Sequence, residues 1–556
     1  MIHYSISYKH PSTNTLTIEL TVTPVTSSPI RLFLPTWRPG RYELADYAQN
    51  IYAVKAYQQE KEITVEVIGK SEWSISTYDV SSSIKVTYDY YAHKMDAGNS
   101  WLDEEQMYIN FINCCLEVDG YTNLIHEVEL KIPADYQVAT SLEKKGNCLK
   151  ATNYLELIDS PVICSNRLLH HSFEEGDTLF HVWIQGNCTP DWRRIETDFR
   201  KYTKEQIDLF GAFPCKEYHY LFQLLPYKHY HGVEHQKSTV ITLGPASELQ
   251  SDELYNNLLG ISSHELFHTW NVTRIRPTEL APYSFKKEIS FETGYIAEGL
   301  TTYYGDYLLG RSGVFNTKQY FDEIDTLFKR HFENYGRFNL SLTDSSKQLW
   351  LDGYKLGIPN RKVSIYVKGA ICALVLDLEI RQLTNHQKSL DDVMRLLWTK
   401  FPNDANGYST ADYQSCIEEV TGNSFTSYFD ECIFGTESIE ERLRASLLFI
   451  GCDLKCVKNK DNWMACYGFQ KTSTNKVIRI APDSPAFFSL SIDDEIIEHD
   501  EVEKRLVLKV KRAGLEKTII LNQDLTTYFD NFIIEKIGDA TDNQKRNFEQ
   551  WLKKKF

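Results

Sequence analysis

Hydrophobic and polar residues alternate along the first third of the chain. Leu16, Ile18, Leu20 and Val22 form one set, Ile84, Val86, Tyr88 and Tyr90 a second, and Val128, Leu130 and Ile132 a third. Period two buries every other side chain and predicts half-buried strands. Arg38-Pro-Gly40 supplies a turn between them, so residues 1–188 read as an all-β domain. From Thr189 the period lengthens. Thr189-Pro-Asp191 predicts a helix start with proline in the first turn. Tyr218–Leu225 and Ser238–Leu243 read as strands. Residues 252–270, 295–309 and 366–383 read as long helices, the second capped by Gly310. Short strands return after residue 440, at Lys476–Ile480 and at Leu506–Val510, the latter with Lys517–Leu521 as its hairpin partner. The pattern predicts a multidomain α+β protein with domains at 1–188, 189–440 and 441–556.

Length agrees with that division, since 556 residues correspond to three or four domains at about 150 residues each. With 42% hydrophobic and 24% charged residues, a disordered chain is excluded. A net charge of −16 disfavours nucleic acid and anionic membranes as partners. The most apolar run, Ala370–Leu376, is bounded by Lys368 and Asp377, well short of the ~18 apolar residues a membrane span needs. The first residues lack a basic segment followed by an apolar core, so no signal peptide is read and the expected location is cytoplasmic. Twelve cysteines without a CxxC pair read as reduced thiols.

The strongest chemical signal is His264-Glu-Leu-Phe-His268 on a predicted helix. Histidines four apart project from one face, one turn apart, and both imidazoles can reach one zinc. Glu265 then lies beside the metal, placed to take a proton from water. Leu254, Leu258 and Ile261 keep helical spacing up to the motif. A catalytic zinc requires a third protein ligand and an open position. Glu298 lies among Ile296, Leu300, Tyr303 and Tyr307, an apolar stripe at helical spacing. A glutamate buried there needs a partner, which a metal would be. A helix-start carboxylate stabilised by the macrodipole is the other reading.

His264-Glu-Leu-Phe-His-Thr-Trp-Asn-Val-Thr-Arg-Ile-Arg-Pro277, followed by Glu298-Gly-Leu-Thr-Thr-Tyr-Tyr304, resembles the glycyl aminopeptidase family. Pro39-Gly-Arg-Tyr-Glu-Leu-Ala-Asp-Tyr-Ala48 resembles a motif of that family's β domain. The resemblance covers nearly the whole chain. It implies a gluzincin peptidase with a thermolysin-like, mainly helical catalytic domain, distantly similar to aminopeptidase N. It also implies one zinc ion held by His264, His268 and Glu298, with Glu265 as general base. Ser364-Ile-Tyr366-Val-Lys-Gly369 resembles the segment whose tyrosine contacts the oxyanion. His231-Gly-Val-Glu234 resembles the segment whose glutamate binds the substrate's α-ammonium, although His231 stands where a second glycine is frequent. The implied partner is a peptide with a free N-terminus and a small first residue, glycine or alanine.

Other features are open at this level. His229, His231 and His235 share one face of an extended segment, either a second metal site or a polar cleft rim. Asp306 falls near the Glu298 face, where it could orient a ligand histidine. Arg274 and Arg276 are structural clamps or cleft charges. Ile480-Ala-Pro-Asp-Ser-Pro-Ala486 with Ile492-Asp-Asp-Glu-Ile496 resembles the PDZ pattern, with Tyr467-Gly-Phe469 at the carboxylate loop and Asp493 in place of the usual glycine. Such a domain binds an extended chain at an open strand edge or serves packing alone. Three readings follow: an aminopeptidase, an endopeptidase on the same zinc, and an inactive PDZ-type scaffold.

Overall fold

The computed structural model describes residues 1–23, 29–355, 357–402 and 406–556. Two compact units divide the chain. The first comprises Met1–Phe291, Leu349–Tyr354 and Leu397–Tyr408, and the second Glu292–Gln348, Lys355–Leu396 and Ser409–Phe556.

The alternating sets at the N-terminus form an eight-stranded sheet. Thr15–Val22 pairs antiparallel with both Ile2–Ser7 and Ile84–Tyr91. Leu16, Ile18, Leu20 and Val22 face inward with Ile84, Val86, Tyr88 and Tyr90, as the period requires. The third set fills only His126–Leu130, and Ile132 lies beyond that strand's end. Two four-stranded sheets complete this all-β part.

A second, five-stranded sheet is built from β1 (Leu169–Glu175), β2 (Thr178–Gln185), β3 (Glu217–Leu224), β4 (His229–Glu234) and β5 (Ser238–Gly244). Its order is β1-β2-β3-β5-β4, which leaves β4 at an edge. The expected boundary at residue 188 falls after β2, whose residues pair in parallel with β3. Helix α1 (Trp192–Phe210) starts at Asp191, whose side chain accepts from the Arg194 amide, so Pro190 stands outside the helix and not in its first turn. Helix α2 (Asp252–Phe267) packs against α1, β4 and β5. The opposite face of the sheet buries Trp183, Leu221, Val233 and Val240 against Tyr108, Ala139 and Ile163 of the N-terminal strands. Edge strand β4 is therefore covered on both faces, by a helix on one and by the β part on the other.

The second unit is mainly helical. Tyr295–Leu300 is a π-helical turn that runs into α3 (Thr301–Ser312). Gly310 lies inside α3, and the cap is Gly313, with φ +84°. Gly310 is small for another reason: a Cβ there would lie 3.0 Å from Leu552 and 3.1 Å from the Tyr320 ring. After α4 (Thr317–Phe332), the apolar run Ala370–Leu376 forms the middle of α5 (Ile365–Leu383), buried among α3, α4 and Glu440–Phe449. Asp377 at its end takes hydrogen bonds from Tyr303 at 2.8 Å and Arg381 at 3.0 Å, which satisfies a buried carboxylate. Among the described residues no helix is long and apolar enough to cross a membrane. Past residue 450, Arg505–Arg512 pairs with Leu515–Asn522 as the expected hairpin, and Glu495–Val502 adds a third strand. All twelve cysteines are free thiols, most of them buried.

The π-helical turn and α5 meet glycine to glycine. A Cβ on Gly299 would lie 2.6 Å from the Gly369 Cα, and one on Gly369 would lie 2.9 Å from the Gly299 Cα. Both neighbours are backbone, so no side chain can swing aside. Gly369→Ala should therefore cost about 1–3 kcal/mol, the usual scale of overpacking. A lowered unfolding midpoint is the expected result, and an unchanged one would mean that the crossing relaxes freely.

Candidate active site

Helix α2 begins with Ser251 accepting from the Leu254 amide at 3.2 Å, and it carries Asp252 and Glu253 in its first turn. Leu254, Leu258, Ile261 and Leu266 are buried, which seats the helix against the sheet. Its last turn delivers the two motif histidines. His264 and His268 bring their Nε2 atoms to 3.0 Å of one another. His268 Nδ1 lies 2.7 Å from the Asn271 carbonyl, so Nδ1–H donates there and Nε2 keeps its lone pair. Trp270, fully buried, stacks on Phe210 with centroids 4.6 Å apart and fixes the chain just past the helix. Burial and the adjacent His268 push the His264 pKa well below the usual histidine range. Two imidazoles with converging nitrogens form a donor set suited to a divalent metal.

Glu265 is 5% exposed, and its carboxylate lies against Gly232 of β4, where a Cβ would overlap it. Alternation along β4 points Gly232 and Glu234 toward α2, and His231 and Val233 toward the N-terminal strands. Ligand atoms of Glu234, Glu265 and His268, all three buried, lie within 4.8 Å of one another. The first unit thus gathers in one place three residues to which the sequence resemblance gives the roles of amine anchor, base and metal ligand. The turn Arg38–Arg41 closes over them. Gly40, at φ +74°, packs its backbone on the Glu234 carboxylate so tightly that a Cβ has no room. The motif beginning at Pro39 is therefore part of the site's wall.

Glu298 and Tyr366 belong to the second unit. Glu298 is 2% exposed on the π-helical turn, a rare conformation found mostly at functional sites. Thr301 and Thr302 donate back to the Ala297 and Glu298 carbonyls at 2.8 and 2.9 Å, satisfying groups that an α-helical ladder would use. Tyr366 occupies the first turn of α5, capped by Ser364. The Gly299–Gly369 crossing fixes these two segments against each other.

The open features of the sequence resolve differently. His231 faces Arg38 and Asp96, whereas His235 Nδ1 lies 3.1 Å from Asp159. Among the described residues His229, His231 and His235 form no common ligand group. The Asp306 carboxyl lies near Glu323 of α4, and burial together with that neighbour pushes its pKa well up. Arg274 donates to the Thr269 carbonyl at 2.6 Å and the Gln236 carbonyl at 3.1 Å, tying the loop after α2 to the β4–β5 turn. Arg276 donates to the Thr273 carbonyl and lies 3.9 Å over the Tyr283 ring. Both arginines are clamps. Arg38 and Asp96 escaped the sequence reading: they are single charged residues in turns, and only the fold brings them to β4.

Comparison with known proteins bears on this site directly. The family described as Peptidase M61 N-terminal domain matches residues 3–166, and M61 glycyl aminopeptidase matches residues 257–372, together half of the chain. No curated protein matches it by sequence. The crystal structure of an aminopeptidase N family protein from Idiomarina loihiensis is similar over 99% of this chain and 100% of its own, with 25% identity and a TM-score of 0.91. An M1 zinc metallopeptidase from Deinococcus radiodurans aligns over 79% of this chain and 94% of its own, with 14% identity and a TM-score of 0.48. The second family match contains the helix with both histidines, the π-helical turn and the start of α5. The chain belongs to the peptidase M61 glycyl aminopeptidase family and is a metallo-aminopeptidase, a hydrolase of peptide bonds.

Proposed function

We propose that this protein removes N-terminal residues from peptides, glycine and alanine first, with one zinc ion held by His264, His268 and Glu298. The observation that carries the reading is the cluster of Glu234, Glu265 and His268 within 4.8 Å. It sets two carboxylates, one of them the proposed base, beside a histidine whose Nδ1 is held by the Asn271 carbonyl, which leaves Nε2 as the nitrogen that would meet a metal. Two imidazoles and a carboxylate are the donor set of a catalytic zinc with one position open. Zinc bound there would supply Lewis acidity, acidifying a water and polarising the scissile carbonyl.

The residues divide the remaining work. Glu234 accepts charge-assisted hydrogen bonds from the substrate's α-ammonium and fixes the first peptide bond in register. Glu265 takes the proton of the attacking water, and the water oxygen forms the new bond to carbon. Tyr366 donates a hydrogen bond to the carbonyl oxygen as negative charge develops there. Glu265 then hands its proton to the leaving nitrogen as the C–N bond breaks, releasing one amino acid and a shortened peptide. The turn at Gly40, tight against Glu234, supports a preference for small first residues because it limits space beside the anchored amine. In this reading residues 189–440 carry the chemistry, residues 1–188 wall the anchor, and residues 441–556 are a PDZ-like segment with a packing role.

Metal content tests the ligand set. Purified protein should carry about one zinc, and Glu298→Ala should lose most of it. Full occupancy in that variant would remove Glu298 from the set.

Glu265→Gln keeps size and removes the base, so zinc should stay while turnover falls by roughly 10²–10⁴-fold. Gly232→Ala should reproduce part of that loss with the fold intact, because its new methyl displaces the carboxylate end of a flexible side chain. Turnover of Glu265→Gln within about tenfold of wild type would contradict the assignment.

N-acetylation decides between aminopeptidase and endopeptidase. The blocked substrate loses its charge and with it the charge-assisted hydrogen bonds to the buried Glu234 carboxylate, a loss of several kcal/mol. Glycyl and alanyl substrates should be cleaved well and their acetylated forms barely at all. Glu234→Ala should shrink that contrast by slowing the free amines. Equal cleavage of blocked internal bonds by the wild type would make the enzyme an endopeptidase.

A further inference from the structure

Strand β4 also borders a second cavity, of about 330 Å³, the size of a ligand pocket. Lys228 and Tyr230 line it from the strand, and Glu248, Glu253 and Asn257 form other parts of its wall. Glu248 closes the short turn after β5, and Glu253 lies in the first turn of α2. Two carboxylates against one ammonium leave this pocket with a net negative charge. Arg194, the nearby cation of α1, is engaged elsewhere: it lies 3.8 Å from Asp252 and 3.7 Å over the Tyr255 ring. Among the described residues neither Glu248 nor Glu253 forms an ion pair.

The strand relates this pocket to the chemistry. Gly232 is the β4 residue that packs on Glu265, so the reacting carbonyl belongs beside it. In one direction the strand ends at Glu234, where the Arg38–Arg41 turn sets Gly40 on the carboxylate. In the other it runs through Tyr230 to the cavity. An aminopeptidase cuts the first peptide bond, so a single residue lies on one side of the reacting carbonyl. The whole leaving peptide lies on the other. The closed end of β4 suits the single residue, and the open end suits the chain.

Because β4 is the edge of its sheet, an extended peptide can add to it as an antiparallel strand. Residues directly opposite one another in such a pair share a face. With the first residue opposite Gly232, the second lies opposite His231. The third lies opposite Tyr230, roughly 7 Å along the strand. Alternation gives Tyr230 the same α2 face as Gly232, and Glu253 and Asn257 of α2 line the cavity there.

We propose that this cavity is a subsite for the third residue of the substrate, and that Glu248 and Glu253 favour lysine or arginine in it. The inference rests on the reading of Glu265 as the base, since the register is counted from Gly232. The net charge of −16 favours the approach of basic peptides as well.

Tripeptide amides Gly-Ala-X, with X lysine, norleucine or glutamate, test it on the zinc-loaded enzyme. The ratio of kcat/KM between two substrates on one preparation cancels folded fraction and metal loading. Lysine should exceed glutamate by about three- to tenfold at low ionic strength, with norleucine between them. Added salt should shrink that ratio. Glu248→Gln combined with Glu253→Gln should bring it close to one. If that double variant does not fold, Glu248→Gln alone, on a turn outside the helix, must still lower the ratio about twofold. A wild-type ratio near one, or a ratio that survives these substitutions, overturns the subsite. So does a stronger lysine preference at the second or fourth position, read from Gly-Lys-Ala and Gly-Ala-Ala-Lys amides. Failure of the base reading has a different signature. Glu265→Gln with turnover within about tenfold of wild type removes the origin of the register. A ratio near one in an enzyme that Glu265→Gln inactivates defeats the subsite alone.

Discussion

Two imidazole nitrogens held 3.0 Å apart at the end of a buried helix constrain everything around them. Two lone pairs would repel at that separation, so either one Nε2 carries a proton or a cation stands between the two nitrogens. The Asn271 carbonyl already occupies the other nitrogen of His268, so that ring cannot turn away. Burial opposes full protonation of the pair, because two imidazolium ions would repel in a low dielectric. A divalent cation relieves all of these demands at once. The rest of the first unit's site follows from where this places Glu265. The strand passing beside that carboxylate must have glycine at position 232, and its next inward residue, Glu234, then arrives next to the base.

Edge strand β4 consequently serves two neighbours through its two faces. Gly232 and Glu234 meet α2, whereas His231 and Val233 meet the N-terminal β part. A shift of one residue in its pairing with β5 would exchange the two sets. The histidines would then meet Glu265, and Glu234 would be buried among Tyr108, Ala139 and Ile163. The antiparallel register Gly232↔Ile241 and Glu234↔Thr239 is thus as much a condition of the site as any side chain in it.

Much of this was legible in the sequence, and the limits have physical causes. Local periodicity identified Thr15–Val22, Ile84–Tyr91, α2 and α5 because burial selects one face of each element. The convergence of His264 and His268 was legible because four-residue spacing on a helix is itself a geometry. Three kinds of feature were not. Gly310 looked like a cap because caps and close helix crossings both favour glycine, and only the positions of Leu552 and Tyr320 separate the two causes. Arg38 and Asp96 carry no periodic signal, and their partner His231 lies far away in sequence. The π-helical turn was read as ordinary helix, since its extra residue leaves the apolar stripe nearly unchanged.

The C-terminal segment is tied into the helical unit by its own contacts. A recruiting module on a tether would keep its own core and few outside contacts. Here the three-stranded meander does have a core, with Tyr467, Phe469, Leu508 and Leu521 inside it. Yet Asn531–Lys536 pairs with Cys452–Val457, which directly follows the helix Glu440–Phe449. Phe532 stacks on Phe332 of α4 with centroids 4.0 Å apart, and the Ile534 amide donates to Asp325 at 2.8 Å. Arg479 reaches Glu333, 5% exposed, at 2.7 Å. The contacts of Phe532, Ile534 and Arg479 join the segment to α4 or the turn after it, and Trp551 stacks on Tyr307 of α3. Removing the segment would strip apolar cover from the helices that carry Glu298 and Tyr366. Those contacts by themselves give the segment a structural role in the helical unit.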